Sequence, residues 1–338
     1  MTRAFEAGHV LAGYRVEHEL GRGAVGVVLA ATSVRDGLRV ALKVLTAGDD
    51  TAHARFLREA RVAMSMRGDH NVRVLEVGEL DDATPFLVME RLEGEDLDKL
   101  LARDGPQPAG RVISWAIDVC DALEEAHALG AVHRDLKPAN LFLARGVKGA
   151  GVKVLDFGLA KAPLGEDGPK LTASLAVMGS PAYMAPEQLV SSTRIDARAD
   201  LYSLGVAMYE LLTGTLPFGD VSVAELAAAI VRDPPRPIRD TKPDVPGALA
   251  AIVERCMQKN PRDRYANASA LRDALVAALV DPNEAPKTIL MTHPPATAFP
   301  RRATPSRHEN PARSHRLAIA AAVCVAILIV GVAVIATR

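Results

Sequence analysis

Cysteine is nearly absent: Cys120, Cys256 and Cys324 are the only three in 338 residues. They are far apart and form no CxxC or Cys/His pattern, which excludes a disulfide scaffold and a structural zinc site and points to a reducing compartment. An excess of charge is missing too. Forty Lys and Arg stand against 41 Asp and Glu, net −1, which argues against a general nucleic-acid binder, since such proteins carry a basic surplus. No internal repeat is visible, and Met1 to Val10, with Arg3, Glu6 and His9, has no signal-peptide pattern. What is present is a globular composition, 49% hydrophobic and 24% charged, at a length that accommodates two domains of ordinary size.

The charge is unevenly spread. Residues 1–280 carry a net −5, residues 281–316 a net +3, and residues 317–338 only Arg338. Leu317 to Ala336 is a stretch of 20 residues without charge. As a helix it reaches ~30 Å, the thickness of the bilayer hydrocarbon, and reads as one transmembrane helix. The arginines lie on its N-terminal side, so the positive-inside rule places residues 1–316 in the cytoplasm, with no extracellular sensor expected. Residues 281–316 contain seven prolines and few large apolar residues and read as a flexible, partly extended linker.

Near the N-terminus, short β-type runs flank Gly21-Arg22-Gly23-Ala24-Val25-Gly26. Three glycines at this spacing let backbone N–H groups approach a phosphate. A dinucleotide fold needs a helix after such glycines. Here Val27-Val28-Leu29-Ala30 follows, so a β-hairpin lid is expected. Lys43 stands inside the apolar strand Val40-Ala41-Leu42-Lys43-Val44-Leu45 and needs a solvent face or a partner. Glu59, in a helical pattern running to about Met66, is a candidate partner.

The most specific run is His133-Arg134-Asp135-Leu136-Lys137-Pro138-Ala139-Asn140. It is followed by the strand Leu141-Phe142-Leu143, then by Asp156-Phe157-Gly158 and by Ala185-Pro186-Glu187. With the glycine loop and Val40-Ala41-Leu42-Lys43, these runs resemble, in the same chain order, the motifs of the eukaryotic-type (Hanks-type) serine/threonine protein kinases. The resemblance covers about residues 10–280. The span after a Pro-rich linker resembles the bacterial membrane-anchored subgroup. The fold class implied is α+β and bilobal: a small β-rich lobe over about 10–92, a larger helical lobe over about 93–280, then the linker 281–316 and the membrane helix 317–336.

The resemblance also assigns roles. Asp135 accepts the proton of the substrate hydroxyl, and Lys137 steadies the γ-phosphate in the serine/threonine form of the loop. Lys43 grips the α- and β-phosphates, held by Glu59. Asn140 and Asp156 ligate Mg²⁺, for which Mn²⁺ could substitute; such hard cations favour oxygen ligands. Residues Leu20, Gly21, Arg22, Gly23, Ala24, Val25, Gly26, Val27 and Val28 form the lid over ATP. Leu20, Val28, Ala41 and Phe142 sandwich the adenine, Met89 is the gatekeeper, and Glu90 and Leu92 offer hinge backbone groups. Arg134, Glu187, Asp200 and Arg264 are support residues, with Arg264 paired to Glu187. The lid tip Ala24-Val25 lacks the aromatic residue common there, and Ser180 stands where Thr is usual.

Phosphorylation of Thr172 and Ser174 is the expected control, with Arg134 answering the new charge; Thr288 is a weaker candidate. Ala318, Ala322 and Ala326, spaced by four, suggest a weak homodimer through the membrane helix. His127 reads as an ordinary core or surface histidine, and Cys120 and Cys256 as small core residues. The expected activity is transfer of the γ-phosphate of Mg-ATP to Ser and Thr of proteins, at the cell membrane. The alternative is a kinase-fold scaffold or adaptor without catalysis.

Overall fold

The computed structural model describes residues 5–23, 26–47, 50–146, 149–157, 181–190 and 195–280. These all fall in one compact unit, Met1–Lys287. The calls on Ala24, Val25, Gly158, Thr172, Ser174, Ser180, Thr288, the linker and the membrane helix lie outside the described residues. Among the described residues, no helix is long and apolar enough to cross a membrane.

The first lobe is built on β-branched runs. Strands β1 (Val10–Leu11), β2 (Tyr14–Arg22), β3 (Gly26–Ser33), β4 (Arg39–Leu45), β5 (Val74–Glu79) and β6 (Pro85–Glu90) form one antiparallel sheet in the order β1-β2-β3-β4-β6-β5. The alternation of β4 decides the lobe's layering, because successive side chains point to opposite faces. Val40, Leu42 and Val44 pack on one face with Val16, Val27, Leu29, Phe86 and Val88. Ala41 and Leu45 pack on the other with Leu87, Met89 and the helix α1 (Asp50–Ser65), through Phe56, Ala60 and Ala63. Lys43 shares the second face by register, opposite Val28 and Leu87.

Gly26 has a packing reason. A Cβ there would lie 2.4 Å from the Val44 carbonyl oxygen, so the close approach of β4 demands glycine. At Gly21 and Gly23 the same position opens on empty space. Two glycines of the expected phosphate lid therefore have room above them, and the third is required by the sheet.

A short segment, β7 (Gly94–Asp96), leads to the second lobe and pairs with β8 (Leu141–Gly146), itself paired with β9 (Gly149–Val154). Helix α2 (Leu97–Asp104) starts on Asp96, whose side chain accepts from Lys99 N. Such a cap satisfies one of the first-turn donors. Helix α3 (Ala109–Ala128) buries nine residues, among them Trp115, Cys120 and Leu123. After the short α4 (Pro186–Val190) comes α5 (Arg198–Thr213), buried almost all round. It ends at Gly214, whose left-handed φ of 74° lets its N–H reach Glu210 O.

Among the described residues, the remaining α-helices are α6 (Val223–Arg232), α7 (Ile238–Thr241), α8 (Gly247–Cys256) and α9 (Ala268–Val280). A reciprocal Ser222–Glu225 box caps α6. Gly205 lets α5 touch α8, since a Cβ would lie 2.6 Å from Cys256 Cβ. Cys120 and Cys256 are both buried and free, as the sequence suggests.

One ion pair locks this lobe. Arg264 donates from both terminal nitrogens to Glu187, at 2.7 and 2.8 Å. Its remaining hydrogen bonds go to the carbonyls of Gln258, Lys259 and Arg198. Its side chain is fully buried and that of Glu187 is 16% exposed. Removing one partner strands a charge. Arg264→Met should therefore lower unfolding free energy by about 3–5 kcal/mol, read as the shift of the denaturant midpoint.

Candidate active site

The loop His133–Asn140 is hung on one carboxylate. Asp200 is completely buried near the start of α5. Its Oδ1 accepts Arg134 N–H at 2.8 Å. Its Oδ2 accepts His133 N–H at 2.8 Å and a hydrogen bond from His127 Nε2 at 2.8 Å. Arg134 sits at φ 64° and Asp156 at φ 55°, conformations uncommon for residues with a Cβ. Such backbone persists where surroundings over-determine it, and here the Asp200 contacts supply part of that constraint. Gln188 supplies more, donating to Arg134 O at 3.1 Å and accepting Ala185 N–H at 2.9 Å.

His133 joins this loop to the strand end that carries Asp156. Its Nδ1 accepts Asp135 N–H at 3.2 Å, so Nε2 carries the proton and donates to Leu155 O at 2.7 Å. Its ring meets Phe157 edge-on, with centroids 4.9 Å apart. Leu155 N in turn donates to Asn140 O at 2.9 Å. Asp135, Asn140 and Asp156 are thereby fixed together.

Within the loop, Lys137 Nζ lies 3.2 Å from Asp135 Oδ2. Asn140 Nδ2 donates to Asp135 O at 2.7 Å and reaches Oδ2 at 3.3 Å. Because the nitrogen of the Asn140 amide is committed, its oxygen is the atom it can offer a cation. Among the described residues, no cluster of three or more His, Cys, Asp or Glu side chains is arranged to hold a metal by itself. One carboxylate and one amide oxygen suit a cation that completes its shell with phosphate oxygens and water. Mg²⁺ binds in this way, so the donor set fits Mg²⁺.

Lys43 is 6% exposed and pairs with Asp156 Oδ1 at 2.5 Å. Burial disfavours the Asp156 carboxylate, but the Lys43 ammonium and its hydrogen bond outweigh that and hold the group below the usual carboxylate range. The expected Lys43–Glu59 pair is therefore corrected: the ammonium serves Asp156, and the buried Glu59 Oε2 has no hydrogen-bond partner. Burial pushes the Glu59 carboxyl up to about 7, against the pull of Arg134, Arg55 and Arg58.

The residues expected at the nucleotide lie as follows. Ala41 and Met89 are buried in one cluster, with Val28, Leu92 and Leu155 packed against it. Val27 is a second correction. It is wholly buried in the cluster on the opposite sheet face, so the alternation of β3 leaves only its backbone for the lid. Leu20 is exposed, and Arg22 is held by Glu19. Phe142 lies in β8 opposite Lys153, partly buried, and outside the Ala41–Met89 cluster. The Glu90 N–H donates to Arg73 O, while the Glu90 side chain pairs with Lys153 at 2.7 Å and accepts Arg73 N–H.

Three contacts escape the sequence reading. Glu125, on α3, accepts the N–H groups of Arg67 and Gly68 and the Asn71 amide, which anchors the loop after α1. Gln188 follows the Ala185-Pro186-Glu187 run without any signal of its own. His127 reads as unremarkable, yet it lies six residues before His133 and shares its carboxylate.

A sheet lobe with a buried lysine, joined to a helical lobe whose loop gathers Asp135, Asn140 and Asp156, defines the protein kinase class. The chain belongs to the protein kinase domain family, which residues 14–276 match. It is 40% identical over 272 residues to the serine/threonine-protein kinase pkn3 of Myxococcus xanthus, covering 78% of this chain and 49% of that protein. It is 38% identical over 275 residues to the serine/threonine-protein kinase PknB of Mycolicibacterium smegmatis, covering 79% of this chain and 43% of that one. The crystal structure of the Mycobacterium tuberculosis PknI kinase domain, C20A_R136A double mutant, superposes with TM-score 0.65 at 28% identity. That match covers 82% of this chain and 100% of PknI's. The chain spans about half the length, or less, of the curated relatives it matches.

The Glu59 carboxyl gives a pH dependence with a definite sign. Raised from 4.5 to about 7 in the fold, it contributes no penalty below pH 4.5 and costs stability as pH rises through 7. Denaturant unfolding between pH 4.5 and 8 should show wild type losing on the order of 1–3 kcal/mol more than Glu59→Gln over that range. Parallel curves would refute the orphaned carboxylate.

Proposed function

We propose that the chain is a serine/threonine protein kinase that uses Mg-ATP. The observation that carries this reading is the meeting of Lys43, Asp135, Asn140 and Asp156 around one loop, with the hydroxyl-directed Lys137 beside Asp135. Phosphoryl transfer needs positioning and charge neutralisation more than covalent help. The substrate Ser or Thr oxygen attacks the γ-phosphorus, the bond from that phosphorus to the β–γ bridging oxygen breaks, and ADP leaves. Asp135 takes the hydroxyl proton as the new O–P bond forms. Lys137 balances charge on the transferring group. Mg²⁺, held by Asp156 and Asn140, would neutralise charge on the phosphates. Lys43 would bind the α- and β-phosphates.

The wider setting is part of the same proposal. Residues 317–336 tether the kinase to the cell membrane with residues 1–316 cytoplasmic, which the charge asymmetry and the apolar run support. Residues 281–316 serve as the linker. Protein substrates fit the Lys137 form of the loop and the Ala185-Pro186-Glu187 segment. Autophosphorylation at Thr172 and Ser174 fits the presence of Arg134 before Asp135. A homodimer through Ala318, Ala322 and Ala326 would favour phosphorylation in trans.

Incubating the chain with Mg²⁺ and γ-labelled ATP should place label on Ser or Thr. Asp135→Asn should reduce that transfer about 10²–10⁴-fold while ATP binding persists. Bound ATP without transfer in the wild type would instead favour the scaffold reading.

A further inference from the structure

Gln188 lies in α4 and is only 6% exposed. Burying an amide is costly unless both of its ends are bonded, and here both are. Its Oε1 accepts Ala185 N–H at 2.9 Å, and its Nε2 donates to Arg134 O at 3.1 Å. That orientation is fixed by the partners, because a backbone N–H only donates and a carbonyl oxygen only accepts. The Gln188 backbone N–H also donates to Ala185 O at 2.9 Å, so side chain and main chain grip the same residue. One position earlier, Glu187 is held by both terminal nitrogens of Arg264. The amide that reaches Arg134 therefore stands on a fixed base.

What it holds is one particular peptide unit. Arg134 has a φ of 64°, and it can leave that conformation only by turning one of its two flanking peptides. The peptide before it is held where Arg134 N–H donates to Asp200 Oδ1 at 2.8 Å. The peptide after it, which carries Asp135, is held at both ends. Gln188 Nε2 bonds its carbonyl, and His133 Nδ1 accepts its N–H at 3.2 Å. A peptide bonded at one end can swing about that bond, whereas one bonded at both ends cannot. Gln188 is thus the link by which the Ala185-Pro186-Glu187 segment reaches the catalytic carboxylate.

We propose that Gln188 is a positioning residue for phosphoryl transfer: its amide holds the peptide between Arg134 and Asp135, so that the segment ending at Glu187 sets the alignment of Asp135. The inference rests on the kinase reading above and adds a connection between that segment and the catalytic loop. The Ala41, Lys43 and Met89 face belongs to the other lobe. Loss of the Gln188 bond should therefore lower kcat and leave KM for ATP unchanged.

The test uses the full chain as wild type, Gln188→Met and Gln188→Glu. Methionine fills the space and removes both side-chain bonds. Glutamate keeps an acceptor for Ala185 N–H but loses the donor to Arg134 O. An unsatisfied buried carbonyl is costly enough to predict a ~10–100-fold fall in kcat for Gln188→Met, with KM for ATP within about twofold. Gln188→Glu should fall as far although its Ala185 contact survives. The second readout is amide hydrogen exchange, which needs no catalysis. Exchange at Asp135 should be at least ~10-fold faster in both variants, while exchange at Ala185 should rise only in Gln188→Met. A purely structural glutamine would instead lower the melting temperature and leave the kcat of the folded enzyme unchanged. If Gln188→Met does not fold, Gln188→Glu carries both readouts.

Unchanged kcat in the folded variants, kcat and KM for ATP changing together, or unchanged Asp135 exchange would each overturn the proposal. A wild type that binds ATP and transfers nothing would refute the kinase reading. The exchange measurement would still decide whether Gln188 holds the loop.

Discussion

One buried carboxylate organises the second lobe's contribution to the cleft. Asp200 has no solvent to hydrate it, and a buried carboxylate is tolerable only when its oxygens are satisfied. Here the satisfying donors are the backbone of the catalytic loop itself. The cost of burying the charge and the cost of holding Arg134 left-handed are met by the same hydrogen bonds. A loop bonded in this way cannot relax without stranding the carboxylate. The loop is thus rigid for an electrostatic reason, and Asp135 inherits that rigidity.

The first lobe presents a different constraint. Lys43 pairs with Asp156, and Glu59 Oε2 has no hydrogen-bond partner. Burial raises the Glu59 carboxyl to about 7, against the pull of Arg134, Arg55 and Arg58. Any group that engages Asp156 therefore competes with Lys43 for it.

Much of this was legible in the sequence. The order of the motif runs implies the two lobes, and the apolar run of residues 40–45 marks the strand that carries Lys43. The Arg264–Glu187 pair follows from the same resemblance and is observed. Other features were not legible, for physical reasons. Gly26 belongs to the glycine run, but close strand packing is what requires it. Val27 and Val28 are indistinguishable as letters, and only the pleat shows that Val27 faces the sheet's other core. Glu59 has the right type and place to hold Lys43, yet pairing depends on a competition with Asp156 that no pattern encodes. His127 and Gln188 acquire their meaning from distances across the fold, 73 residues from Asp200 in one case and 54 from Arg134 in the other.

The most direct measurement is the single-turnover rate of phosphoryl transfer from saturating Mg-ATP in the Asp200→Asn chain, beside its ATP affinity. Asparagine keeps the shape but replaces one acceptor oxygen with an NH₂ that confronts a backbone N–H. The account predicts that transfer falls by ~10² or more, the range seen when a group that aligns a general base is lost, while ATP affinity stays within about threefold. Transfer at the wild-type rate, or transfer and affinity falling together, would contradict it.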